Sequence, residues 1–247
     1  MESTALETGR YVEILDREGR LLTSAAERAG TGAAVPTCPD WQVRDLLRHT
    51  GAVHRWAASY VREGDTERRP LGDAPDVDGA ELVDWYRESH RELVGTLTGA
   101  APDVTCFTFL PAPSPLEFWA RRQLHETTVH RYDAQAALGD TPSRIERDLA
   151  ADGIDELLRG FHARSRSQVR TEKPRTLRVR ATDADAVWTV RLSTEPPVTT
   201  PDDSGNADCE LSGPAEELYL ALWNRVPVPS VTGDRALAAL WRERSAI

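Results

Sequence analysis

Lysine is almost missing from this 247-residue chain: of its 30 basic side chains only Lys173 is not an arginine. With abundant Ala, Asp, Leu and Gly, this reads as the codon bias of a GC-rich genome. An acidic halophilic surface is the competing reading, and the many arginines weigh against it. Cysteine is scarce as well. Cys38, Cys106 and Cys209 are too far apart, and odd in number, for a disulfide framework or a CxxC metal site. That usage fits a reducing compartment, so a cytoplasmic protein is expected. No apolar run reaches the ~18 residues of a membrane helix, and the opening MESTALETGRY lacks the basic and apolar regions of a signal peptide. The expectation is therefore no membrane partner. A formal net charge of −10 and a pI near 5.2 offer no broad basic face, which argues against a nucleic-acid partner. What remains is an ordinary soluble composition, 40% hydrophobic and 28% charged, sufficient for one large or two smaller cores without staples.

The first two thirds read as helices. Residues 10–30 carry Tyr11, Ile14, Leu15, Leu21, Leu22, Ala25 and Ala26 at mostly helical spacing. After a Gly/Pro break, Asp40 is a suitable N-cap for a second helix with Trp41, Val43, Leu46, Leu47, Val53 and Trp56 on its apolar side. Leu82, Val83, Trp85, Tyr86, Leu93, Val94 and Leu97 mark a third. PAPSP (111–115) places Ser114 at the N-cap and Pro115 at the first position of a fourth helix, which Gly139 stops. Thr141 and Pro142 open a fifth that is expected to end near Arg164. Beyond a basic stretch to Lys173, TLRVRA (176–181) and AVWTVRLS (186–193) alternate apolar with polar, as half-buried strands do. A third strand is expected at 208–211, and helices at 214–225 and 234–244. The fold class is thus α+β: a bundle of four or five helices over 1–165, then a small α+β domain over 170–247.

Six histidines frame the chemistry. HETTVH (125–130) looks like HExxH but is one residue too long. At ~100° per residue His125 and His130 point ~140° apart and cannot share a metal. Glu126 and His130, at i and i+4, lie on one face and can converge on an ion, or form a helix-surface pair; spacing leaves both open. A third ligand must come from elsewhere. The second helix offers His49, close to its apolar stripe, and His54, set among more polar positions. A His2Glu set leaves one tetrahedral position open, as a catalytic zinc requires.

WQVRDLLRHTGAVHRWA (41–57) and FWARRQLHETTVHRYDAQAALG (118–139) resemble the two signature stretches of the mycothiol-dependent maleylpyruvate isomerase family, within the DinB-like superfamily of metal-binding four-helix bundles. The more specific stretch carries Trp119, Arg122, His125–Glu126, Val129–His130–Arg131 and Asp133–Ala134. The resemblance implies a metal held by His49, Glu126 and His130, with the Trp-to-His spacing selecting His49 over His54. It implies a sterol-carrier-like C-terminal domain, in which LALWNR (220–225) is similar to a short family helix ending in an arginine. Arg225 is thereby the implied catalytic arginine, although Asn224 stands where many relatives have Gly.

The implied chemistry uses mycothiol as co-substrate, compatible with an actinobacterial source. A free thiol has a pKa near ~8.5, and a divalent ion, with Zn2+ expected, deprotonates it. The resulting thiolate attacks a small electrophile, and the enzyme is an isomerase or an S-transferase. His2Glu also admits nickel, iron or manganese. Asp133, one turn after His130, and Asp45, one turn before His49, are candidates to orient the histidines, although the ordinary helix-surface carboxylate is the leading reading of each. Arg122, one turn before Glu126, is a candidate to orient it or to bind an acidic substrate. The alternatives are a metal-dependent small-molecule hydrolase using water, and a non-catalytic ligand-binding module.

Overall fold

A computed structural model describes residues 7–139 and 141–246. They form two compact units, the first ending at Ser143 and the second beginning at Arg144.

The first unit is a four-helix bundle of α1 (Thr8–Ala29), α2 (Val43–Glu63), α3 (Gly79–Gly99) and α4 (Pro115–Ala136). Helix α1 packs along α3 and α4, and α2 packs along α3 and α4. One core cluster gathers Leu22, Ala26, Val35, Val43, Leu46, Leu47, Leu82 and Tyr86, all buried. Helix α4 starts where the sequence signals it: Ser114 accepts the Glu117 N–H at 3.1 Å ahead of Pro115. Helix α2 starts later than expected. Asp40 lies in the turn closed by Trp41 N–H to Cys38 O at 2.8 Å, and Gln42 is the N-cap. Asp45 sits at N3, where its carboxylate accepts the Gln42 N–H at 2.9 Å in a capping box. Its charge thus serves a free helix donor rather than His49.

Helix α4 is unusual for what it hides. Arg122, Gln123, His125, Thr127, Thr128, His130, Arg131 and Asp133 are all buried beside Leu116, Phe118, Trp119, Leu124 and Val129. Burying that many polar groups is costly unless each is partnered. Some partners are structural. Arg131 donates to Glu18 of α1 at 2.7 Å, an ion pair 0% and 2% exposed, and to the Ser143 carbonyl at 2.6 Å. Others form the site described below.

The second unit opens with α5 (Arg147–Asp155), which continues as a π-helical segment, Glu156–Phe161. The fifth helix, expected to run from residue 141 in the bundle, begins six residues later and packs on α6 (Ala215–Leu222) of this unit. Asp155 accepts the Trp188 indole N–H at 3.1 Å, and the Leu158 carbonyl accepts from Thr199 at 3.2 Å, so the segment is tied to the sheet. The sheet contains β1 (Arg175–Ala181), β2 (Ala186–Leu192), β3 (Val198–Thr200), β4 (Cys209–Gly213) and β5 (Ser230–Gly233), in the order β3-β2-β1-β4-β5. The β1–β2 hairpin pairs Leu177 with Val190 and Val179 with Trp188, and their alternation buries one face as the period-two pattern predicts. β1 and β4 pair in parallel, Leu177 opposite Cys209. Helix α7 (Arg235–Arg244) packs on β4 and β5. Cys38, Cys106 and Cys209 form no disulfide among the described residues.

Candidate metal centre

Two helices bring the implied ligands together. His49 lies in the second turn of α2, between Leu47 and Thr50, which are buried. Glu126 and His130 lie one turn apart on α4. Ligand atoms of His49, Glu126 and His130 all fall within 4.8 Å of one another, the only such group of three or more among the described residues. Nε2 of His49 is 2.9 Å from Glu126 Oε1, and Nε2 of His130 is 3.4 Å from the same oxygen. Exposure rises from His130 (10%) through Glu126 (20%) to His49 (35%), so the cluster opens on the α2 side.

His130 and Glu126 are each held by a further residue of α4. Asp133 Oδ2 accepts from His130 Nδ1 at 3.0 Å, which leaves Nε2 aimed at the cluster. Arg122 reaches Glu126 Oε2 at 3.3 Å, which leaves Oε1 for the two histidines. The Trp41 indole stacks at 5.8 Å on His130 and lies at 5.2 Å against His49, covering both rings. The electrostatics favour positive charge between these groups. Burial pushes the Glu126 carboxyl up, but the His130 and His49 hydrogen bonds and the nearby Arg122 charge hold it well below the usual carboxylate range. Burial likewise lowers the His130 imidazole, but Asp133 and Glu126 together raise it to about 9.

A divalent ion fits this donor set. Two imidazole nitrogens and one carboxylate oxygen converge from facing helices, with the tautomer of His130 fixed from outside. Sequence reasoning had named Arg122 and Asp133, and both touch the ligands. It had not found Thr37, Cys38 or Trp41, in the turn before α2. Thr37 donates to Asp133 Oδ1 at 2.6 Å, and the Cys38 thiol is 3.7 Å from Oδ2. No local pattern reveals such contacts between residues 95 or 96 apart. His125 does not belong to the ligand group.

His54 corrects an expectation. It is completely buried rather than set among polar positions, because its α2 face is set by Gly51, Ala57, Ala58 and Val61 and not by the adjacent Arg55. Its Nε2 lies 2.9 Å from Thr127 Oγ1, and its ring packs at 5.6 Å from Tyr86 and 5.4 Å from His90. Burial, with His90 nearby, keeps it well below the ordinary histidine value and so neutral. Arg225 follows α6 in the second unit. It adjoins Asn224, whose φ of +61° is left-handed, and its guanidinium donates to the Trp223 carbonyl at 2.8 Å.

A four-helix bundle with two histidines and a glutamate converging in it, followed by a small α+β unit, defines a class of two-part bundle proteins whose core histidines and carboxylate could hold an ion. Residues 12–135 match the mycothiol maleylpyruvate isomerase N-terminal domain and residues 148–240 match the C-terminal domain of the same enzymes. The chain belongs to the mycothiol-dependent maleylpyruvate isomerase family. The crystal structure of a mycothiol-dependent maleylpyruvate isomerase is similar at 13% identity, over 87% of this chain and 88% of that chain, with a TM-score of 0.61. A histidine-to-alanine mutant of such an enzyme is similar at 11% identity, with the same coverage and TM-score. At that identity the likeness is one of fold. No curated protein matches this chain.

Proposed function

We propose that this chain is a metal-dependent enzyme that uses mycothiol on a small electrophile, as an isomerase or an S-transferase. The observation that carries the reading is the convergence of His49, Glu126 and His130 within 4.8 Å in a chain of this family. His49, Glu126 and His130 would hold a divalent ion, zinc in first place, which would supply a Lewis acid able to lower the pKa of a bound thiol.

The protein's own groups do the rest. Arg122 keeps Glu126 Oε2 engaged so that Oε1 faces the histidines. Asp133 holds the Nδ1 proton of His130 and presents Nε2. Trp41 covers both imidazoles and keeps water from that side. The partly exposed edge at His49 is where a thiol and a small electrophile enter. Arg225 is proposed as the catalytic arginine on the strength of the family resemblance. The cytoplasm is the proposed compartment; no helix among the described residues is long and apolar enough to cross a membrane.

The test is turnover of maleylpyruvate and other small activated alkenes by zinc-loaded protein, with and without mycothiol. Mycothiol-dependent turnover that is lost in Glu126→Ala supports the proposal. Zinc-dependent turnover that ignores the thiol establishes a hydrolase using water instead.

A further inference from the structure

Asp133 is completely buried, and both its oxygens are bound to specific partners. Oδ2 faces His130 Nδ1 at 3.0 Å, and Oδ1 faces Thr37 Oγ1 at 2.6 Å. An ionised carboxylate only accepts, so both partners donate. The Thr37 bond is short, as charge-assisted O–H···O⁻ bonds are. Thr37 Oγ1 and His130 Nδ1 therefore both donate to Asp133, and the other ring nitrogen of His130, Nε2, lies 3.4 Å from Glu126 Oε1.

Thr37 is on a different element from everything it controls. It belongs to the turn between α1 and α2, and that turn is itself fixed: Cys38 N–H donates to Val35 O at 3.0 Å and Trp41 N–H to Cys38 O at 2.8 Å. The turn thus brings the Thr37 hydroxyl and the Trp41 ring against the same imidazole, one through Asp133 and one by stacking.

We propose that Thr37 is a positioning residue that sets the affinity of the His49–Glu126–His130 cluster for a divalent cation. Its hydroxyl holds the Asp133 carboxylate in the rotamer that keeps a proton on His130 Nδ1 and the Nε2 lone pair on the cluster. The inference rests on the reading of the three residues as metal ligands. Partners one shell out from a metal typically change affinity by about 10–100-fold when removed. The effect here passes through one further residue and belongs at the lower end.

The experiment measures Zn2+ affinity of the full chain by competition with a chelating dye, for wild type, Thr37→Val and Thr37→Ser. The His130 Nδ1–H signal is followed in parallel by 1H–15N NMR. Thr37→Val keeps shape and removes the hydroxyl; Thr37→Ser keeps the hydroxyl. The expected result is a loss of about tenfold in affinity for Thr37→Val, with a weakened or fast-exchanging Nδ1–H signal, and near wild-type behaviour for Thr37→Ser. Thr37→Ala replaces Thr37→Val if the latter does not fold. Hydroxyl-free variants that bind zinc as wild type does overturn the inference while leaving the ligand reading intact. Equal losses in the Val and Ser variants also overturn it, because they assign the effect to packing of the methyl group. Wild type that takes up no zinc overturns the ligand reading, and this inference with it.

Discussion

The Arg225 side chain and the three ligands make separable predictions. If Arg225 acts on substrate, Arg225→Ala lowers mycothiol-dependent turnover by at least about tenfold while bound zinc per chain stays unchanged. A wild-type rate removes Arg225 from the catalytic set. Tyr86 makes the opposite kind of prediction. It is completely buried in the bundle, its hydroxyl has no hydrogen-bond partner among the described residues, and burial pushes its pKa far up. A buried hydroxyl without a partner costs about 1–3 kcal/mol. Tyr86→Phe is therefore expected to leave the thermal midpoint unchanged or to raise it, and a clear drop in calorimetry contradicts that account. The candidate site was largely legible at this scale. Glu126 and His130 are linked by one helical turn and Arg122 by another, all visible in the string of residues. Thr37 and Trp41 were not, because their roles depend on where a tertiary turn brings them. For Asp45 the plainer of its two readings has a visible use, since a carboxylate three residues into a helix accepts a donor at the helix N-terminus.

Among the elements, α2 and α4 matter most, since the proposed ligands stand on both. The placement of α2 depends on close packing at Gly51, two residues after His49, where an added Cβ would run into the Trp85 ring on α3. Gly51→Ala is expected to push α2 and α3 apart at a cost of about 1–3 kcal/mol and to weaken zinc binding through His49. Denaturant midpoints and the dye competition read both effects; an unchanged pair of values contradicts the packing argument. Helix α4 was legible to the residue at its start, because Ser114 and Pro115 open it, whereas its end at Ala136 falls short of the Gly139 stop the sequence suggested. Helix α5 was not: the segment after Thr141 reads as a helix start, yet residues 141–146 are not helical, and the helix packs on α6. The short edge strands β3 and β5 were missed because three or four residues with exposed or half-buried side chains carry no period. The parallel β1–β4 pairing is a long-range choice that alternation within either strand cannot express.

Over the whole molecule, acid acts through three buried imidazoles. His54, His90 and His162 all lie below the ordinary histidine value, chiefly through burial. His162, 1% exposed against the Trp241 ring, is lowered to about 4 by burial and by the nearby Arg164 charge. The unfolded chain takes up this proton below pH ~6.5 and the folded chain only near pH 4. Its contribution to stability is therefore full above ~6.5 and is lost as the pH falls toward 4, by up to about 3 kcal/mol. His162→Gln is expected to reduce the drop in denaturation midpoint between pH 7.5 and pH 4.5, and an identical drop in both proteins contradicts the assignment. The fold class and the two-part organisation were visible in the sequence from the change of period near residue 175. The junction was not, because the helical signal runs on past Ser143, where the first unit ends. Metal binding by the proposed cluster is likewise a property of the whole folded molecule. Elemental analysis of purified wild type and of His49→Ala, Glu126→Ala and His130→Ala, each checked for an intact helical fold, tests it most directly. The account predicts about one zinc-like ion per wild-type chain, lost or strongly depleted in every variant. Wild type that remains without metal after reconstitution, with its fold intact, would contradict it.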